Sequence, residues 1–113
     1  MSKLRSDIWC AAFIRLHNDL GHFCVVARKG HETAGQIWIE VDHLNGQNSL
    51  FSPAPMLSYN EEKFDWVFEC RLKNVAAQII REKINQEINF DPDIWVLALE
   101  MREGEVGINM IKS

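Results

Sequence analysis

The sequence has no long apolar run and no excess of positive charge. Its apolar segments all stay short of the roughly 18–20 residues that a transmembrane helix needs. Acidic residues outnumber basic ones by 16 to 12, which gives a formal net charge of −4. Nucleic acids and anionic lipid surfaces bind cationic proteins, so this balance argues against both as partners. Residues 1–7 do not have the pattern of a signal peptide, and we expect a cytoplasmic protein.

The sequence also lacks the short motifs that accompany common cofactors. Neither the phosphate-binding pattern GxxxxGK[ST] nor GxGxxG after a strand occurs, and HExxH is absent. The four histidines have no metal-ligand spacing, and the three cysteines, Cys10, Cys24 and Cys70, form no CxxC pair. Each cysteine lies in an apolar segment, which predicts buried, reduced thiols. We therefore expect no cofactor and no metal, and the sequence identifies no catalytic residue.

The remaining composition is that of an ordinary globular domain. The chain has 113 residues, of which 47% are hydrophobic and 25% charged. This length matches one domain and suffices to bury a core without disulfides or a metal. Because the chain contains no repeat or linker, we expect residues 1–113 to form a single α+β domain.

Hydrophobic periodicity predicts the elements. Apolar positions at helical spacing predict helices over residues 7–20 and about 75–88. Strands are predicted over 22–28, 36–43, 48–52, 64–72 and 93–101, with a last short one over 106–111, and a loop over 52–63. The predicted fold class is α+β, with two helices and a five- or six-stranded, mostly antiparallel sheet in the order α-β-β-β-β-α-β, with or without a final β. The stripe that we expect the first helix to bury consists of Ile8, Trp9, Ala12, Phe13, Leu16 and Leu20.

The register of the first three strands predicts an interface. The first two strands are predicted to pair as a hairpin, and Asn45-Gly46 predicts a two-residue turn into the third. In this register Val26, Trp38 and Phe51 share a sheet face that two helices cannot fully cover. A surplus apolar face is typical of an interaction surface, so we expect a homodimer or a protein partner there, centred on Trp38.

The loop over residues 28–35 combines two cations, a histidine, a carboxylate and glycines. Arg28, Lys29, Gly30 and His31 are candidates for binding a small anionic ligand, with the cations and nearby backbone N–H groups as donors. The alternative interpretation is an exposed polar loop whose glycines serve only the turn.

A second polar group surrounds the end of the second helix. Asp91 and Asp93 flank a proline, and Arg71 and Arg81 lie on the elements that lead to this turn. Two carboxylates one residue apart could bind a cation or pair with these arginines. The alternative is a helix stop in which Asp91 accepts backbone N–H bonds.

Several segments of the chain match a known pattern. They are Leu4-Arg5-Ser6-Asp7-Ile8-Trp9, Val26-Ala27-Arg28-Lys29-Gly30 with Ala34-Gly35, and, most specifically, Phe90-Asp91-Pro92-Asp93-Ile94-Trp95-Val96. On these residues the chain resembles, over nearly its whole length, a bacterial family of short proteins, domain of unknown function 1491. The resemblance implies one cytoplasmic domain and assigns no activity, substrate or catalytic residue.

These observations leave two main hypotheses of function. The first is a non-catalytic cytoplasmic module that binds itself or a protein partner. The alternative is a small enzyme or ligand-binding protein that acts on an anionic metabolite through residues 28–35. A third hypothesis, RNA binding through the aromatic side chains, lacks the basic surface that base stacking needs beside it.

Overall fold

The computed structural model describes residues 4–55 and 66–111. The predicted loop over 52–63 therefore lies largely outside the described residues. Within them no helix is long and apolar enough to cross a bilayer. The α+β class and the order of the elements are confirmed. The elements are α1 (Ser6–Asp19), β1 (Phe23–Arg28), β2 (Ile37–Asp42), β3 (Asn48–Pro53), β4 (Val67–Val75), α2 (Ala77–Phe90), β5 (Trp95–Glu100) and β6 (Asn109–Met110).

The strands form one mixed sheet in the order β1-β5-β2-β3-β4-β6. β1 and β5, β2 and β3, and β3 and β4 pair antiparallel, whereas β5 and β2, and β4 and β6, pair in parallel. The prediction of a mostly antiparallel sheet is therefore wrong, because β5 inserts between β1 and β2 and replaces the predicted first hairpin. β5 is apolar on both faces, and a central position buries both. The connection over residues 29–36 exceeds a tight hairpin and can pass across β5.

The link between β2 and β3 also differs from the prediction. Val41 lies opposite Ser49, and five residues, 43–47, make the turn instead of the two predicted at Asn45-Gly46. This shifts the register by one residue, and a one-residue shift exchanges the two faces of a strand. Ser49 therefore joins the face of Val41, and Leu50 joins the opposite face.

Each face of the sheet carries one helix and one apolar cluster. Alternate residues of β2 point to the two sides, so Ile39 packs beneath α1 and Trp38 beneath α2. The buried members on the α1 side are Cys10, Phe13, Cys24, Ile37, Ile39, Val41, Trp66, Phe68, Trp95, Leu97, Leu99 and Met101. Those on the α2 side are Trp38, Leu50, Ile80, Ile84, Ile94 and Val96.

The predicted shared face of Val26, Trp38 and Phe51 does not exist. Val26 lies opposite Leu97, which lies opposite Ile39, which lies opposite Phe51, so Val26 and Phe51 are on the α1 side. Trp38 is on the α2 side and only 3% exposed. The prediction of an interface centred on Trp38 is wrong, because it assumed a β1–β2 hairpin and placed this core residue outside.

Candidate functional site

The loop over residues 28–35 is attached to the beginning of β5. The Arg28 guanidinium donates to the carbonyl of Ile94, at 3.3 Å, and the His31 N–H donates to the carbonyl of Asp93, at 3.0 Å. In return the indole N–H of Trp95 donates to the carbonyl of His31, at 2.7 Å. Two of the four predicted ligand-binding residues thus bond to the protein's own backbone.

The same loop occupies the N-terminus of α1. The backbone N–H groups of Ser6 and Asp7 donate to the carbonyls of Thr33 and Glu32, at 3.2 and 2.9 Å. The Ser6 hydroxyl donates to the carbonyl of Gly35, at 2.6 Å, instead of capping its own helix. The first N–H groups of a helix are the ones that bind anions, and here loop carbonyls use them.

Two glycines permit this close packing. A Cβ at Gly30 or Gly35 would overlap the Asp93 carbonyl oxygen, so neither position has room for a side chain. The His31 ring turns back onto its loop, where Nδ1 accepts the N–H groups of Thr33 and Ala34 at 3.2 Å each. Lys29 lies at the exposed surface. This arrangement favours the interpretation that the glycines and the histidine shape a structural loop.

The predicted polar group of Arg71, Arg81, Asp91 and Asp93 is not assembled. The Asp91 carboxylate accepts the N–H of Asp93 at 3.0 Å, which is the helix stop that the sequence also allowed. Arg71 instead approaches Glu87, at 3.8 Å, in the last turn of α2, one helical turn before Asp91.

Arg71 and Arg81 interact with other side chains on the α2 side of the sheet. The Arg71 guanidinium carbon lies 5.7 Å from the ring centroid of Trp38, a cation–π contact over the core. Arg81 faces Glu40 across the space between α2 and the sheet. Burial raises the pKa of the Glu40 carboxyl, the charge of Arg81 opposes this shift, and Asp42 adds to it.

Two clefts of about 210 Å³ each share Glu40 and Arg81 as lining residues and together form one groove. The groove runs between α2 and β1, and Ala98 of β5 forms part of its floor. Phe23 lines one end of the groove and Arg28 the other. We call this feature the α2 groove. It exists because α2 packs over β3 and β4 and leaves the β1 side of this sheet face uncovered.

Strand β1 forms one outer edge of the sheet and is the most exposed apolar strand of the described chain. Phe23, Val25 and Val26 are 57%, 38% and 42% exposed. We call these three residues the β1 edge. Phe23 and Val25 lie on the α2 side, next to the α2 groove, and Val26 lies on the α1 side. This edge was not predicted from the sequence, because β1 was expected to pair with β2. The long connection after β1, residues 29–36, was the sequence feature that could have indicated that β1 and β2 are not neighbours.

The architecture defines an α+β protein in which one helix covers each face of a six-stranded mixed sheet. A family model described as "Protein of unknown function (DUF1491)" matches residues 4–109. The chain belongs to this family, and the resemblance identified in the sequence is confirmed. No curated protein matches the chain.

Solved structures of similar proteins share the fold over almost the whole chain. The solution structure of protein Atu0922 from A. tumefaciens is 30% identical, with a TM-score of 0.84, and covers 97% of this chain and 96% of that one. A crystal structure of a DUF1491 family protein from Caulobacter crescentus CB15 is also 30% identical, with a TM-score of 0.78, and covers 96% and 98%. An NMR structure of a DUF1491 family protein from the same organism is 29% identical, with a TM-score of 0.77.

Proposed function

We propose that this chain is a non-catalytic cytoplasmic interaction module that forms a homodimer through the β1 edge. The observation that carries the proposal is the exposure of Phe23, Val25 and Val26 on the outer strand β1. An outer strand presents a row of backbone N–H and C=O groups that can pair with another strand. Natural proteins protect such edges with charge or by keeping them short, and β1 has six residues with no charge before Arg28. β6, on the other side, has only two residues.

A second copy of the chain fits this edge by symmetry. A twofold axis perpendicular to the sheet makes two β1 strands antiparallel and keeps each face of the sheet on its own side. With Val25 opposite its own counterpart, the Phe23 and Val25 side chains of both copies adjoin on the α2 side. A bulge between Val26 and Arg28 interrupts the ladder, so pairing centred on Val25 uses residues 24–26 of each strand.

The charges at the two ends of β1 support the same arrangement. Arg28 follows the bulge and lies on the α2 side, opposite Val96 of its own sheet. Glu100 is the β5 neighbour of Phe23 on that side. Antiparallel pairing brings the end of one β1 to the start of the other, so Arg28 of each copy comes to the end of the edge that carries Glu100 of its counterpart. Opposite charges at these two ends favour antiparallel over parallel pairing of the two strands.

The test is the molar mass in solution across a concentration series, measured by sedimentation equilibrium. Pairing of about three residues per strand makes a small interface, so the series should extend to about 1 mM. We expect a mass that rises toward twice 13.1 kDa. Val25→Lys places a charge on an exposed edge position and should keep the chain monomeric without lowering its melting temperature.

Ile79→Lys is the matched control. Ile79 is also apolar and 46% exposed, but it lies on α2 and does not line the α2 groove. This variant should dimerise like the wild type. A wild type that stays monomeric throughout the series refutes the proposal. A dimer that Ile79→Lys dissociates, and Val25→Lys does not, refutes the assignment to β1.

The geometry gives less support to an anionic-metabolite site at residues 28–35. Arg28 and His31 bond to backbone atoms of the protein, and Gly30 packs against β5. A ligand that binds at residues 28–35 would have to replace these hydrogen bonds of Arg28 and His31. We therefore propose self-association as the function of this side of the molecule.

A further inference from the structure

A separate cleft of about 330 Å³ opens on the α1 side of the sheet, beside β3 and β4. β5 and β2 separate it from β1, so it is independent of the β1 edge. Its walls come from Phe51 of β3 and from Met101 and Val106 of the segment after β5. Its size lies at the lower end of the range typical of small-molecule sites, about 300–1,000 Å³.

A β-bulge shapes the polar end of this cleft. Asn48 lies opposite Val75 and Leu50 opposite Leu72, so two residues of β4, Lys73 and Asn74, oppose the single residue Ser49. Asn74 takes up the extra length with a left-handed φ of 53°. Bulges of this kind redirect side chains and backbone groups and are common beside functional sites. Here the bulge turns the Asn74 N–H toward Ser49.

The Ser49 hydroxyl is held at two points. It accepts the N–H of Asn74 at 3.2 Å and lies 2.8 Å from Nε2 of His43. Ser49 is 2% exposed, and both it and His43 line the cleft. A hydroxyl and an imidazole that are fixed in this way form a preorganised polar floor for the cleft.

The charges around the cleft differ in sign from those of the whole chain. Lys73, Arg102 and His43 line it with one acidic residue, Glu103, although the chain carries a net charge of −4. Lys73 and Arg102 are exposed, so their charged groups lie in reach of a ligand. Basic groups at one end and an apolar wall at the other match a molecule with an anionic head and an apolar body.

The geometry points to a binding site for a small organic carboxylate with an apolar body. The carboxylate lies at Lys73 and Arg102 above the Ser49–His43 floor, and the apolar part lies against Phe51 and Met101. Charge-assisted contacts to the two cations select the anion, and burial of the body supplies the remaining affinity. This site shares no residue with the loop over 28–35 or with the β1 edge.

Octanoate is a suitable probe, and amide NMR spectra of the ¹⁵N-labelled chain are the readout. We expect saturable shifts that are largest for the amides of Asn74, Arg102 and Gly104. 1-Octanol has the same chain without the charge and should bind at least tenfold more weakly. Lys73→Met and Arg102→Met should each weaken octanoate binding at least tenfold. Because both residues are exposed, the variants should retain a dispersed spectrum, which the experiment itself records.

Two control variants separate this proposal from the others. Lys29→Met removes an exposed cation from the loop over residues 28–35 and should leave octanoate binding unchanged. Val25→Lys tests independence from dimerisation and should also bind as the wild type does. The proposal is overturned if no saturable shift occurs up to about 10 mM octanoate. Octanol that binds as well as octanoate, or a loss of binding in Lys29→Met or Val25→Lys, overturns it equally.

Discussion

Replacing Gly30 with alanine tests whether the loop over residues 28–35 is a packed part of the fold. A Cβ at Gly30 would overlap the Asp93 carbonyl oxygen and lie 2.7 Å from both the carbonyl carbon of Ile94 and the nitrogen of Trp95. All three atoms belong to the backbone of the chain entering β5. They cannot rotate aside as a flexible side chain does, so the loop and β5 must move apart.

The expected cost follows from these contacts. Overpacking by a single carbon in a tight site costs about 1–3 kcal/mol. Separation of the loop from β5 also weakens the hydrogen bond from the His31 N–H to the Asp93 carbonyl, worth about 1 kcal/mol. We therefore expect Gly30→Ala to lose about 2–4 kcal/mol of unfolding free energy. At about 4 °C per kcal/mol for a domain of this size, the melting temperature should fall by about 8–16 °C.

Urea denaturation followed by tryptophan fluorescence measures this loss, with Gly46→Ala as the control. Gly46 has a φ of +86°, and no atom lies within 4 Å of the point that a Cβ would occupy there. Alanine at this position therefore meets only backbone strain of about 1–2 kcal/mol. A Gly30→Ala variant within about 0.5 kcal/mol of the wild type would refute the packing argument. The loop over residues 28–35 would then again be a candidate ligand site.

Three further predictions concern the core and its titrating groups. Trp95→Ala should lower the unfolding free energy by about 3–5 kcal/mol, measured in urea, because Trp95 is 4% exposed in the central strand β5. Burial lowers the pKa of His17 from its usual 6.5, because the folded chain favours the neutral imidazole. The stability that the neutral His17 contributes is therefore complete above pH 6.5 and is lost as the pH falls through the folded-state pKa. His17→Gln should remove this slope from unfolding free energies measured between pH 7.5 and 5; an unchanged slope would contradict the assignment. Burial raises the pKa of the Cys10 thiol to about 12 and that of Cys24 to about 11. Cys70 is exposed, so the prediction that all three thiols are buried is wrong for this residue. A thiol reagent at pH 8 should label Cys70 in the folded chain and all three cysteines in urea, and rapid labelling of Cys10 without denaturant would disprove its burial.

Local patterns determined most of the secondary structure. The period of the apolar positions marks both helices and the strands of the described ranges, because helices and strands repeat their side-chain directions over short distances. The role of Asp91 was also predictable locally, since a helix stop needs only its neighbours' N–H groups. The matching segments, most specifically residues 90–96, identified the family.

The polar side chains inside the core could not be identified in this way. The first helix buries Ser6, Cys10, Phe13 and His17, whereas Ile8 and Leu16 are 49% and 47% exposed. The prediction that the more apolar stripe, with Ile8 and Leu16, is buried is therefore wrong. Which face of the helix is buried depends on partners distant in the sequence, since Ser6 bonds to Gly35 and Nε2 of His17 bonds to the Val106 carbonyl at 2.6 Å. A buried polar group is stable only with such partners, and only the folded chain supplies them.

The sequence by itself determined the α+β class, the order of the elements and the family. Tertiary structure decided which strands are neighbours and which residues share a face. β5 separates β1 from β2 because its two apolar faces need cover on both sides, and this places Val25 at an open edge and Trp38 in the core. A one-residue shift before β3 places Ser49 on the α1 side, where it lines the cleft beside β3 and β4. Strand pairing and register are set by contacts between distant segments, whose energies do not appear in the local pattern of either strand.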